Sequence, residues 1–156
     1  MKKYIILIIS ILIDGIIPNL TLFNFNNLTY FTPLCTVTSL VIIYSDKSFV
    51  SLFLFSSIIY GTLYINNLLV AFTSFYIILL IIKYFKKIFE DNLIIILLEC
   101  ILIIFIYEFI QFLIYSLGTF NLNDYFYKVV HSLFFNILYA ITIFYIYDKK
   151  GSKLKY

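Results

Sequence analysis

Long apolar runs separated by short polar breaks set the pattern of this chain. The first run extends over about 4–23, broken in its middle by Asp14-Gly15 and then by Pro18, and the polar cluster Asn24 to Asn27 reads as a turn after it. A second run covers about 30–45, with Pro33 in its first helical turn, where a proline is tolerated, and Asp46-Lys47-Ser48 closes it. The third and fourth runs, about 49–65 and 68–82, are parted only by Asn66-Asn67. As one helix they would reach about 50 Å at 1.5 Å per residue, against a hydrocarbon core of about 30 Å, so a tight helical hairpin is expected. The basic stretch Lys83, Lys86, Lys87, closed by Glu90-Asp91-Asn92, leads to a fifth run at about 93–117. A polar loop Gly118 to Asp124, a sixth run at about 127–147 and a basic tail over 148–156 complete the chain.

Stretches such as 76–85 and 93–98 are continuously apolar rather than alternating, which favours helices over the strands of an outer-membrane barrel. The expectation is an all-α integral membrane protein, a bundle of about six transmembrane helices forming a single domain over 1–156. No internal repeat is visible, and the loops leave no room for a second, water-soluble domain.

Composition excludes the main alternatives. Of 156 residues, 63% are hydrophobic and 12% charged, where a soluble fold averages about 45–50% and about 25%. Gly 4 and Pro 2 rule out collagen-like and low-complexity chains. All eleven basic residues are Lys, and with the abundance of Ile, Phe, Tyr and Asn this has the look of codon drift in an AT-rich genome. Met1-Lys2-Lys3 followed by YIILIISILI resembles the start of a signal peptide. No A-x-A-like cleavage site follows, so the segment is read as an uncleaved first span.

Charge orients the spans. Cytoplasmic loops carry the excess of basic residues. With the N-terminus inside, Lys2, Lys3, Lys47, Lys83, Lys86, Lys87, Lys149, Lys150, Lys153 and Lys155 all fall on the cytoplasmic side and only Lys128 outside. Six spans with both termini cytoplasmic keep that split. The net charge of +3 is therefore an orientation and lipid-headgroup signal rather than a mark of nucleic-acid binding.

An ionisable side chain at the bilayer centre costs roughly 2.5–3.5 kcal/mol on insertion scales, so each needs a partner or a task. Asp14, Glu99, Glu108 and His131 fall within the spans. Asp14-Gly15 reads as a local turn or kink, its carboxylate satisfied by backbone or by another span. Glu99 and Glu108, nine residues apart, lie on opposite faces about 13 Å apart along the axis and form no paired-carboxylate acid/base site. Glu108, Gln111 and Tyr115 share one face suited to hydrogen bonding with a neighbouring helix or a partner. Ser132, Asn136 and Ala140 repeat every four residues as a small, partly polar groove, and Ser57 and Gly61 make a similar pair in the third span. His131, beside Lys128, reads as interfacial. Cys35 and Cys100 read as small buried side chains, since no CxxC or His/Cys cluster exists. No Walker loop, dinucleotide fingerprint or HExxH helix is present, so no enzyme, metal site or cofactor is expected.

Four stretches carry a family resemblance: ILIDGIIPNL (11–20), TPL (32–34), YEFIQFLIYSLG (107–118), and HSLFFNILYAITIFYIYDKK (131–150) with an Asn in mid-span before a basic tail. Together with the layout they resemble the bacterial rod-shape-determining MreD family, small membrane proteins with six predicted spans and both ends inside. The resemblance implies a non-enzymatic scaffold in the bacterial cytoplasmic membrane. Such a scaffold binds an MreC-like protein and, through it, MreB filaments and cell-wall synthases of the RodA and penicillin-binding type. On that expectation Asp14, Glu108, Gln111, Ser132 and Asn136 are helix-interface or partner-contact positions, while Lys83, Lys86 and Lys87 face anionic lipid or cytoplasmic partners. The rival class is transport. A substrate-binding S component of an energy-coupling-factor transporter has similar size and helix number, but its Ala-xxx-Ala docking pattern is missing from span one, the alanines here being Ala71 and Ala140. A small pore would need a continuous polar face, which none of the six runs shows.

Overall fold

In lipid every backbone N–H and C=O must find a partner within the protein, and an apolar run meets that demand by coiling into a helix. The computed structural model describes residues 2–19, 33–90, 92–115 and 122–148. Among them every regular element is helical: α1 (Lys2–Asn19), α2 (Cys35–Ile43), α3 (Phe49–Tyr60), α4 (Leu68–Ile88), α5 (Leu93–Tyr115) and α6 (Leu122–Asp148). A 3₁₀ turn, Asp46–Ser48, leads into α3, and a π-helical turn, Gly61–Ile65, prolongs it. The expected turn at Asn24 to Asn27, the Gly118 end of the 118–124 loop and the basic tail from Lys149 lie outside the described residues.

Among the described residues four helical stretches are long and apolar enough to cross a membrane: Asp46–Ile65, Leu68–Ile88, Leu93–Ile114 and Tyr125–Tyr147. The chain is thus a multi-pass membrane protein, helical throughout its described regular elements. The other two helices differ in kind. α1 carries Lys2, Lys3 and Asp14 within its 18 residues, and α2 has only nine, about 13 Å of rise.

Several expected boundaries move. The second run was expected to be helical from about residue 30 with Pro33 in its first turn. Instead Pro33 and Leu34 precede the helix, Leu34 having non-helical angles (φ −122°, ψ 44°). Nor does a turn form at Asp14-Gly15, for α1 runs through both residues. The Tyr64 ring approaches Gly15 so closely that a methyl group there would overlap its hydroxyl and make the ring shift. α4 continues past residue 82 to Ile88 and takes Lys83, Lys86 and Lys87 with it. Lysine is a good helix former, and its charge in a last turn complements the helix dipole. α6 starts at Leu122, five residues ahead of the expected 127, absorbing the end of the polar loop.

Asparagines do the punctuation. Asn66 takes the left-handed conformation (φ 52°) that ends the π-helical turn, a conformation Asn tolerates better than most residues. The next residue, Asn67, caps α4 by accepting from the N–H groups of Leu69 and Val70 at 3.1 and 3.3 Å. Asn92 caps α5 in the same way through Ile94 and Ile95 at 2.8 and 3.2 Å. Each cap satisfies donors that a helix start leaves open.

The α3–α4 hairpin closes along an aromatic seam, with Phe53 against Phe72 and Tyr76 at centroid distances of 5.5 and 5.9 Å. At its tip Gly61 admits α4, since a Cβ there would stand 2.7 Å from the Cβ of Ala71. α4 packs on α5, α5 on α6, and α2 fills the space bounded by α1, α5 and α6. All nine residues of α2 are buried. Gly61→Val should cost roughly 1–3 kcal/mol through overpacking, lowering the melting midpoint of detergent-purified protein by several degrees. Thr62→Val, on the exposed side of the same turn, should leave it unchanged in the same thermal scan.

Candidate functional site

A helix that begins inside the protein brings its unpaired N-terminal N–H groups with it, and α2 begins at full burial. Two other helices answer those donors. Asp14 of α1 accepts from the Cys35 N–H through Oδ1 at 2.7 Å, from the Thr36 N–H through Oδ2 at 2.9 Å, and from the Thr36 hydroxyl through Oδ2 at 2.7 Å. Asn136 of α6 accepts from the Leu34 N–H through Oδ1 at 2.8 Å. Its amide nitrogen donates to the Ser132 carbonyl at 2.9 Å, so both ends of the side chain are used. Asp14 is 5% exposed and Asn136 0%. A carboxylate at a helix N-terminus is also favoured by the helix dipole.

A second polar rung lies one helical turn away on the same three helices. Ser10, four residues before Asp14, shares hydrogen bonds with Ser39 of α2 at 2.6 Å and with the Tyr139 hydroxyl of α6 at 2.7 Å. Ser39 stands four residues beyond Cys35 and Tyr139 three beyond Asn136, so the i, i+4 and i, i+3 neighbours of the first rung build the second. From outside, the Tyr64 hydroxyl of the π-helical turn donates to the Ile11 carbonyl at 2.5 Å, tying the end of α3 to the middle of α1.

The predicted positions are thus brought together in part. Asp14 and Asn136 meet at α2, and Ser132, fully buried, supports Asn136 through its carbonyl while its hydroxyl donates to Val129 at 3.0 Å. Glu108 and Gln111 belong elsewhere, on α5. Gln111 donates to Ser74 of α4 at 3.2 Å, and Glu108 is buried at 7% exposure. All five lie within the chain's own packing, with Gln111 half-buried. Glu99, at 1% exposure, is likewise interior, because α5 has α2, α4 and α6 as neighbours. Cys35 and Cys100 are buried and free. The side chains of Tyr115, Lys128 and His131 lie outside the described ones.

Ser10, Thr36, Ser39, Tyr139 and Tyr64 were not singled out from sequence. Small hydroxyls and tyrosines barely lower the hydropathy of a run. The available signal was spacing: Ser10 is four residues before Asp14, and Tyr139 three after Asn136.

At one end of the bundle lie Tyr44, Ser45 and Asp46 with Lys83, Lys86 and Lys87, lining a pocket of about 290 Å³. Lys3 donates to Ser45 at 2.7 Å and to Ser48 at 3.3 Å. The start of α1, the α2–α3 junction and the end of α4 therefore share this end. Among the described residues no cluster of three or more His, Cys, Asp or Glu side chains could hold a metal ion. Compared with protein-family models, with curated proteins and with solved structures, the chain matches none.

The Asp14 carboxylate and the Asn136 amide act as a two-sided cap. Asp14→Leu leaves the buried N–H groups of Cys35 and Thr36 without an acceptor, at about 1–3 kcal/mol each, so the melting midpoint in detergent should fall by roughly 5–15 °C. Asp14→Asn keeps one acceptor oxygen and should lose less than half as much. Asn136→Leu, which orphans one N–H, should lie between wild type and Asp14→Leu. A midpoint for Asp14→Leu within about 2 °C of wild type would show that the cap carries no stability.

Proposed function

We propose that this protein is a non-catalytic, multi-pass scaffold subunit of the bacterial cytoplasmic membrane that acts in the cell-wall elongation complex. In this role it binds an MreC-like protein and helps couple MreB filaments to peptidoglycan synthases. The observation that carries the reading is where the polar side chains go. Asp14, Ser10, Thr36, Ser39, Asn136 and Tyr139 are bonded to one another or to the backbone of α2, and so serve to hold the helices in place. The faces left outward are apolar, among them Phe109 and Leu113 on α5 and Phe134 and Leu138 on α6. Such surfaces suit lipid and the helices of other membrane proteins. The family is named by the resemblance of its four sequence stretches.

Orientation follows the lysines. Lys3, Lys83, Lys86 and Lys87 sit at one end of the bundle, which we assign to the cytoplasm. On this reading there are six membrane segments, α2 being the described part of the second, and both termini are inside. Single cysteines in a Cys35→Ala/Cys100→Ala background should then label at position 47 only from the cytoplasmic side, and at position 66 only from the opposite side.

A second reading has one observation in its favour. A helix that starts within the bundle, with its N-terminus meeting a carboxylate, is the device by which discontinuous helices of transporters bind anionic groups. A transport subunit, such as the S component of an energy-coupling-factor transporter, would use α2 in that way with its anionic group displacing Asp14, which holds that place here. Co-purification from mild detergent, with photo-crosslinkers at Phe109 and Phe134, separates the two. The scaffold reading expects an MreC-like protein and wall synthases crosslinked through α5 or α6. Recovery with a membrane coupling subunit and two ATPases, or with a bound vitamin, would replace it with transport.

A further inference from the structure

The pocket at the lysine end has a chemistry that the interior network does not use. Three of its six lining residues are lysines from the last two turns of α4, and the opposite wall, Tyr44, Ser45 and Asp46, is the junction leaving the buried α2. Among these six Asp46 is the one acid, and its Oδ1 accepts from the Tyr44 hydroxyl at 2.9 Å. The lining therefore brings three ammonium groups to one space. Lys83 is further located by its ammonium lying 5.9 Å from the centroid of the Phe49 ring, a favourable cation–π arrangement.

Depth narrows what such a pocket meets. From Leu68 to Lys87 α4 rises about 29 Å, close to the hydrocarbon thickness of about 30 Å, so the pocket opens at the level of headgroup phosphates. Next to Lys83 and Lys87 on the same helix, Tyr84 and Ile88 are 66% and 70% exposed, an apolar flank on which an acyl chain can lie.

We infer that the pocket formed by Tyr44, Ser45, Asp46, Lys83, Lys86 and Lys87 binds a phosphomonoester group, carried by a lipid such as phosphatidic acid or by a soluble phosphate. Three ammonium groups lining one small pocket suit the three unesterified oxygens of a phosphomonoester better than the two of a phosphodiester. The inference rests on the membrane reading and is independent of which complex the protein joins, so failure to recover wall-synthesis partners leaves it standing.

The test uses the full chain in detergent, titrated at constant ionic strength with dioctanoyl phosphatidic acid, dioctanoyl phosphatidylglycerol, dioctanoyl phosphatidylcholine and inorganic phosphate. Binding is read by thermal shift and native mass spectrometry. Phosphatidic acid should bind about tenfold more tightly than phosphatidylglycerol, and the exposed pair Lys83→Gln/Lys87→Gln should lose about tenfold or more of that affinity. Asp46→Asn, which removes the opposing charge, should tighten binding. The double variant must retain the wild-type melting midpoint without ligand. If it does not, the single variant Lys87→Gln serves, with the same loss in direction. Equal affinity for inorganic phosphate and phosphatidic acid, both lost in the lysine variants, supports the site and assigns its source to soluble phosphate. Equal binding of phosphatidylglycerol and phosphatidic acid, or affinities indifferent to the lysine substitutions, overturns the inference and leaves the lysines as an unselective basic belt.

Discussion

The fold depends on closing the N-terminus of α2. A nine-residue helix with every side chain buried cannot reach water at its start, and each N–H group left open there would cost about 1–3 kcal/mol. The acceptors must come from other helices, at fixed depth and rotation. Asp14 takes two of the N–H groups and Asn136 a third, which fixes α1 and α6 relative to α2. Ser10, Ser39 and Tyr139 repeat the same three-helix tie one turn further along. With two ties at different heights, α1 and α6 are held against rotation about their axes as well as against sliding.

The rest of the bundle is held by shape. The α3–α4 hairpin relies on rings and small residues, with Gly61 against Ala71 at its tip and Phe53 between Phe72 and Tyr76 along its length. Apolar side chains gain no hydrophobic advantage from leaving lipid for protein, so close approach and dispersion carry such contacts. Polar ties give the α1–α2–α6 half its register, and van der Waals fit gives the α3–α4 half its closeness. The Tyr64 hydroxyl reaching Ile11 stitches the halves together, and Gln111 reaching Ser74 ties α5 to the hairpin.

How much of this could be read from the chain follows from what each residue does to a hydropathy profile. A break such as Asn66-Asn67 is plain, because two amides between apolar runs of helical length leave no other place for a turn. Within 30–45 the profile is uninformative. Nothing in it tells that helix starts at Cys35 rather than earlier, since the start is decided by acceptors 21 and 102 positions away in sequence. The lysines of 83–87 break the apolar run without breaking the helix, because hydropathy and helical propensity are separate properties. Asp14 and Asn136 were conspicuous as polar residues in apolar surroundings, but their meeting at one helix end was not, for a lone sequence holds no information on which spans are neighbours. Ser10, Ser39 and Tyr139 blend into their runs, and only the spacing of Ser10 from Asp14 and of Tyr139 from Asn136 marks any of them.

The separation of Leu34 from its acceptor on α6 by 102 positions governs the order in which the molecule can be built. A chain enters the membrane from its N-terminus, and α2 arrives when Asp14 is already present but Asn136 has yet to be synthesised. Until then α2 is a short segment with a half-answered end, held by α1 and, once it is made, by α5. Only the arrival of α6 supplies the missing acceptor, the Tyr139 hydroxyl and the wall that completes the burial of α2. α6 is therefore the helix that locks α1 and α2, and contacts of such long sequence separation are slow to form. Until α6 is in place the bundle stays open on one side of α2.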